Sequence, residues 1–289
     1  MNYLLLGISV LSSALYNTAI KRVGRPDDRG MARSFWLNSL LYLVIILVTG
    51  VKAILQKSGC SLYTVLLGAA FGILTALNSF FRMKAMALGE MSLTTLFVAA
   101  SMIIPGFSGA LIWGEALPWT RVVGTFVMIL AVFLAATRCG KKSSPAWFFF
   151  CIGTFLFNGF VGVLQKVQGY SDHAAESGMF LFTAFLTAGV VSVIFALYFT
   201  AKEKPPRPFF TGKDVPVILF AGGFSAYLNV ANLYLAGVLS SALFFPVMNG
   251  GSTMLSLLLA ILIIRERPTK KQLIALAVSL GARALLIIS

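Results

Sequence analysis

The side chains with chemistry to offer sit inside long apolar runs: Asn78, Asn158, Asn229, Asn232 and Asn249, joined by Asn17, Gln165 and Tyr227. Amides and a phenol recognise by hydrogen bonding, and an amide carries no charge. Left unpaired in an apolar medium, such a group costs about 2 to 7 kcal/mol on transfer scales. Polar residues inside apolar runs therefore turn inward, to a partner or to a water-filled cavity. Asn229 and Asn232 are three apart and share a helix face, as Asn78 and Arg82 do at a spacing of four. The competing explanation for each is that it ties two helices together.

Acidic residues are informative by position. All nine (Asp27, Asp28, Glu90, Glu115, Asp172, Glu176, Glu203, Asp214 and Glu266) fall in connections or at the ends of apolar runs. That leaves no buried carboxylate to bind a lipophilic cation or relay a proton, so neutral or anionic cargo suits the amides better. HExxH, GxSxG, paired carboxylates, Cys/His pairs and the GxxxxGK phosphate loop are all absent. Neither catalysis nor direct use of ATP is expected. Cys60, Cys139 and Cys151 lack metal-ligand or redox spacing, and the lone His173 lies in a short polar connection, so no metal or cofactor is expected.

The elements that hold these residues follow from composition. Of 289 residues, 58% are hydrophobic and 11% charged, where soluble domains carry about a quarter charged. Ten apolar runs of roughly 16 to 24 residues follow one another, each long enough, or nearly so, to cross about 30 Å of hydrocarbon as a helix. The expected fold is an all-α membrane protein with ten transmembrane helices, at 2–20, 34–51, 62–81, 92–113, 122–137, 146–165, 177–200, 215–236, 241–264 and 272–288. No run shows the period-2 alternation of a membrane barrel. The first run lacks a basic N-terminal region and a small-residue cleavage site and reads as a retained helix. A net charge of +14 belongs to positive loops, with no nucleic-acid partner implied. The expected partners are the lipid bilayer and a small-molecule substrate.

The chain also repeats itself. Moved forward by 151 positions, residues 70–135 give 13 identities in 66 pairs without a gap, among them Asn78 on Asn229, Ser101 on Ser252 and Glu115 on Glu266. An offset of 145 places Lys21 on Lys166 and Phe35 on Phe180. Internal duplication of this kind predicts two structural copies, over residues 1–140 and 145–289. Five helices per copy is an odd number, so the second copy must enter the membrane inverted. Eighteen basic residues fall in the odd-numbered connections and four (Lys52, Lys57, Arg121 and Lys166) in the even ones, which puts the odd connections in the cytoplasm and both termini outside. Pro105 and Pro246 interrupt the main-chain ladder, and Gly250 and Gly251 follow the latter, so these four are candidates for helix breaks or gating. Close packing is the alternative role for the two glycines.

The run GEALPWTRVVGTFVMILAVFLA from Gly114 and its echo ERPTKKQLIALAVSLGARALL from Glu266 resemble the signature that closes each half of EamA-type members of the drug/metabolite transporter superfamily. The first keeps Glu115 and Gly124; the second keeps Glu266, Thr269, Gln272 and Gly281, with Ala275 at the first glycine position. A Trp-Gly pair common in the first helix of the family is missing, with Ser12 and Ser13 in its neighbourhood. The resemblance implies ten helices in two inverted halves, a transporter in the cell membrane, such as a bacterial inner membrane, and cytoplasmic termini, opposite to what the loop charges imply. On both grounds the expected function is secondary or facilitative transport, with export the favoured direction. The expected cargo is a small polar metabolite, amino-acid-like or drug-like solute, carried by alternating access. A carrier of lipid-linked or sugar-phosphate species using Arg82, Lys84 or Arg283, and a membrane scaffold or embedded enzyme, are the alternatives. The signature residues Glu115 and Glu266 are expected to act structurally, as ion-pair or capping groups.

Overall fold

The computed structural model describes residues 2–23, 30–88, 91–135, 144–204, 209–263 and 270–288. Through them run α1 (Asn2–Val23), α2 (Met31–Leu55), α3 (Leu62–Leu88), α4 (Met91–Ala100), α5 (Ile103–Trp113), α6 (Trp119–Ala135), α7 (Pro145–Tyr170), α8 (Ser177–Glu203), α9 (Asp214–Val238), α10 (Ser241–Ile263) and α11 (Lys270–Ile288). A 3-10 turn, Ala174–Glu176, leads into α8. Five spans, α2, α3, α7, α8 with its preceding turn, and α9, are long and apolar enough to cross a membrane. Shorter apolar helical stretches lie at Phe97–Trp113, Trp119–Ala131 and Leu273–Ala282.

Several helices outrun their expected ends. The third was expected to stop at 81 and continues to Leu88; the sixth was expected to stop at 165 and continues to Tyr170. In both cases the expected stop is the last residue before a cation, Arg82 or Lys166. A helix satisfies its own backbone hydrogen bonds whatever side chain it carries, so a cation alone does not end one. Lys166, counted above in a connection, is embedded in α7 instead.

The expected fourth helix is two. Pro105 has no N–H to offer the carbonyl of Ser101 four residues back, and that oxygen takes Ile104 N at 3.1 Å instead. The tightened turn separates α4 from α5 at Ser101 and Met102. Pro246 has no such effect, and α10 runs through it.

Helix directions are fixed by contacts at their ends. The Glu203 carboxylate, on the last residue of α8, accepts from Met31 N at 3.3 Å and Ala32 N at 3.1 Å, which are unpaired donors of the first turn of α2. At the far end of α2, Lys52 Nζ donates to Ser177 Oγ, on the first residue of α8, at 3.1 Å. α2 and α8 are thus antiparallel. α5 and α10 are antiparallel as well, since Glu115, just beyond α5, meets Ser241 at the start of α10. α3 packs on α7 and α8, while α9 packs on α1 and α2; α10 lies against α1, and α4 and α5 lie against α7; α6 pairs with α11. α7 also packs on α9, with no contact of similar extent between α1 and α3 among the described residues. α3 approaches α8 closely because Gly68 has no side chain: a Cβ there would stand 2.9 Å from Phe180 O.

Candidate functional site

Helices α5, α7, α9 and α10, with the turn between α4 and α5, surround a cavity of about 80 Å³. Its polar lining comes from Ser101, Asn158, Gln165, Asn232 and Asn249, and its apolar lining includes Pro105, Phe244, Phe245 and Met248. Among the described lining residues none is charged. The break between α4 and α5 exposes Ser101 and Met102 to this space, so the local effect of Pro105 on the helix ladder helps to shape the cavity wall.

One wall carries a hydrogen-bond relay with a fixed polarity. Ser101 Oγ donates its single hydrogen to Val98 O at 2.6 Å. It must therefore accept from Asn158, whose Nδ2 stands 2.6 Å away. That orientation leaves Asn158 Oδ1 to accept from Asn78 Nδ2 at 3.0 Å. The relay fixes both amides in the way such assignments are made, by the network. It ends at Asn78 Oδ1, a buried acceptor with no hydrogen-bond donor. Asn232 Oδ1, on the cavity side contributed by α9, is in the same condition.

Beyond the cavity an ion pair joins α7 to the end of α5 and the start of α10. Lys166 follows Gln165 in α7 and is 1% exposed; its ammonium bonds a Glu115 carboxylate oxygen and donates to Leu239 O at 3.1 Å. It lies over the rings of Tyr170 at 4.8 Å and Trp113 at 5.9 Å, where a ring face attracts a cation. The second oxygen of Glu115 accepts from Ser241 N at 2.8 Å, one of the unpaired N–H groups that open α10, where a negative charge is favoured. Gly114 ends α5 in the left-handed conformation at φ 62°, which turns Glu115 back so that its own N–H reaches Gly109 O at 3.1 Å. Gly109 has to be a glycine, since a Cβ there would stand within 2.7 Å of Ser241. Beside it, Arg121 donates to Ser240 Oγ at 2.7 Å, drawing α6 into the same closure. Ser241 is three residues before Phe244, so the pair sits about one helical turn beyond the cavity.

The sequence-predicted residues are distributed unevenly around this site. Asn158, Asn232, Asn249 and Pro105 line the cavity, and Asn78 joins it through the relay. Asn229 does not: its amide donates to Ser225 O of its own helix at 2.8 Å. Tyr227 faces outward at 37% exposure. Asn17 bonds Ser256 Oγ at 3.2 Å, between α1 and α10. Pro246 and Gly251 are buried in α10. Gly250 is where α10 crosses α6, since a Cβ on it would run into the side chain of Met128. Gly124 is buried in α6, and Gly281 faces open space on α11. Glu266 and Thr269 lie outside the described residues, as does the side chain of Arg283. Arg82 is exposed, and Lys84 lies over the Phe199 ring at 5.5 Å; neither lines the cavity. Two residues of the site, Ser101 and Lys166, were not among the candidates. Each is identical to the residue it meets in the offset comparison of the sequence with itself, Ser252 and Lys21, and that identity was the available signal.

Residues 145–288 match the EamA-like transporter family. A solved crystal structure matches with a TM-score of 0.76 over 99% of this chain and 96% of its own, at 15% sequence identity, a likeness that speaks for the fold alone. No curated protein sequence matches the chain.

Proposed function

Because the chain belongs to the EamA-like transporter family, within the drug/metabolite transporter superfamily, and is a multi-pass membrane transporter, we propose that it carries a small, uncharged, hydrogen-bonding solute through the cavity between its halves. We take those halves to be two inverted copies of five spans, with α4 and α5 forming one broken span. Two features support the inversion: the antiparallel course of the repeat-equivalent pairs α2 and α8, and α5 and α10; and the correspondence of several pairings when the halves are exchanged, α3 on α7 and α8 answering to α9 on α1 and α2.

The observation that carries the choice of cargo is the orphaned acceptor on the cavity wall, Asn232 Oδ1. A buried acceptor without a donor costs about 1 to 3 kcal/mol, and a solute bearing O–H or N–H groups supplies what is missing. Gln165 and Asn249 offer further amide groups, and Phe244, Phe245 and Met248 take an apolar portion. A phosphate-bearing cargo finds no cation among the described lining residues, which counts against the sugar-phosphate reading. A cavity of about 80 Å³ holds only a few waters, so a metabolite enters when the helices part. Release on the Glu115 side requires α5, α7 and α10 to separate where Lys166 and Glu115 tie them. We place the protein in a cell membrane such as the bacterial inner membrane.

The test is a melting-temperature screen of the purified protein against neutral, zwitterionic, anionic and cationic metabolites, since a ligand bound to the folded form alone at 100 times its Kd stabilises it by about 2.7 kcal/mol. Neutral donor-bearing solutes raise the melting temperature of the natural protein and not of Asn232→Leu. Stabilisation by cations alone, or by the same compounds in both proteins, overturns the proposal.

A further inference from the structure

A second cleft, of about 490 Å³, opens on the outer surface of the helical bundle, away from the central cavity. One wall is apolar, built from Leu5 of α1 and from Tyr227, Val230, Tyr234 and Val238 of α9. Its rim is polar, formed by Lys52, Gln56 and Ser177. These rim residues lie at helix ends: Lys52 is three residues before the end of α2, Gln56 follows it, and Ser177 opens α8. Lys52 Nζ uses one hydrogen on Ser177 Oγ at 3.1 Å. Among the described residues no carboxylate lies within salt-bridge distance of it. The nearest in sequence to the rim, Glu176, accepts from Ser61 N at 3.0 Å and Ser61 Oγ at 2.6 Å, and faces His173 Nδ1 at 3.3 Å. Lys52 therefore stands at the edge of a greasy cleft with donors to spare and its charge unmatched.

The dimensions decide what fits. From Val238 to Tyr227 is eleven residues, about 16 Å of helix at 1.5 Å per residue. That is about the depth of one leaflet, half of a ~30 Å hydrocarbon core. We propose that this cleft is a binding site for an anionic phospholipid of the leaflet on the Lys52 side. Its phosphate is held by Lys52, with Gln56 and Ser177 beside it, and one acyl chain lies along α9 as far as Tyr227. The occupant is a lipid and not a soluble anion because the cation forms only the rim, whereas the length of the cleft is apolar.

Native mass spectrometry of the full chain, delipidated and then exposed to mixed micelles of phosphatidylglycerol or phosphatidylcholine, tests this directly. Phosphatidylglycerol is retained in preference to phosphatidylcholine. Lys52→Gln lowers its retention about fivefold, as expected for loss of one interfacial cation, and Lys52→Arg keeps it. Phosphatidylcholine retention and the melting temperature in neutral lipid stay the same across the three proteins, which separates lost binding from lost fold. Equal retention of the two lipids, retention unaffected by Lys52→Gln, or displacement of phosphatidylglycerol by millimolar inorganic phosphate each overturns the proposal.

Discussion

Replacing Lys166 with methionine leaves the hydrocarbon stem nearly intact and removes only the charge, from a side chain that is 1% exposed. Glu115, at 15% exposure, is then left, among the described residues, with the Ser241 N–H as its partner. Removing one member of a buried pair costs about 3 to 5 kcal/mol, because the other charge stays uncompensated. Glu115→Gln falls in the same range: it strands the ammonium with Leu239 O and the rings of Tyr170 and Trp113. The double variant, Lys166→Met with Glu115→Gln, strands no charge, and Gln still accepts from Ser241 N. It is predicted to cost less than the sum of the singles by about 0.5 to 3 kcal/mol, the coupling expected of residues in direct contact. Equilibrium unfolding of all four proteins in the same mixed micelles measures this cycle. Single costs below about 1 kcal/mol that simply add would refute the reading of this pair as a charge-matched closure.

Three further outcomes follow from the packing. Gly68→Ala places a methyl 2.9 Å from Phe180 O and should destabilise the α3–α8 contact by about 1 to 3 kcal/mol, whereas Gly106→Ala, with nothing within 4 Å of the new carbon, should be neutral or stabilising by about 0.4 to 1 kcal/mol; thermal unfolding distinguishes them. With Cys139 changed to serine, the exposed Cys60, beyond α2, and a cysteine introduced at the exposed Gly212, beyond α8, with Cys60 also changed to serine, should label from opposite sides of sealed vesicles with an impermeant maleimide, because α2 and α8 are antiparallel. Asn158→Ala cuts the relay on both sides; it should abolish ligand-induced stabilisation while lowering intrinsic stability by about 1 to 3 kcal/mol, and unchanged ligand response would remove the relay from the binding site.

Much of this was legible in a linear reading. Apolar runs locate helices because a span in lipid must be apolar throughout, and rare amides inside them stand out against that background. What a line of residues does not hold is direction around the helix axis and the length of a partner across the gap. Asn78 and Asn229 match at an offset of 151 positions, yet Asn78 reaches across to Asn158. The residue matching Asn158 at the 145 offset is Ser13, whose side chain is shorter, and Asn229 turns instead to Ser225 O. Lys166 was misplaced because a cation marks a helix end only when it stays in water, and this one is matched by Glu115 in the interior. Pro105 and Pro246 look alike in sequence. The first diverts the Ser101 carbonyl to Ile104 N and divides the span, and the second sits within a continuous α10. Glu115, which the sequence places at a helix end, meets Lys166 in the structure, and the unfolding cycle above tests whether that contact is structural.

Flux into proteoliposomes of the best stabilising solute, measured for the natural protein and for Asn232→Leu reconstituted at equal density, bears most directly on the uncharged-cargo account. Saturable uptake by the natural protein of a neutral, donor-bearing solute, lost in the variant, is the predicted result. Equal flux in both proteins, or flux confined to charged solutes, would contradict it.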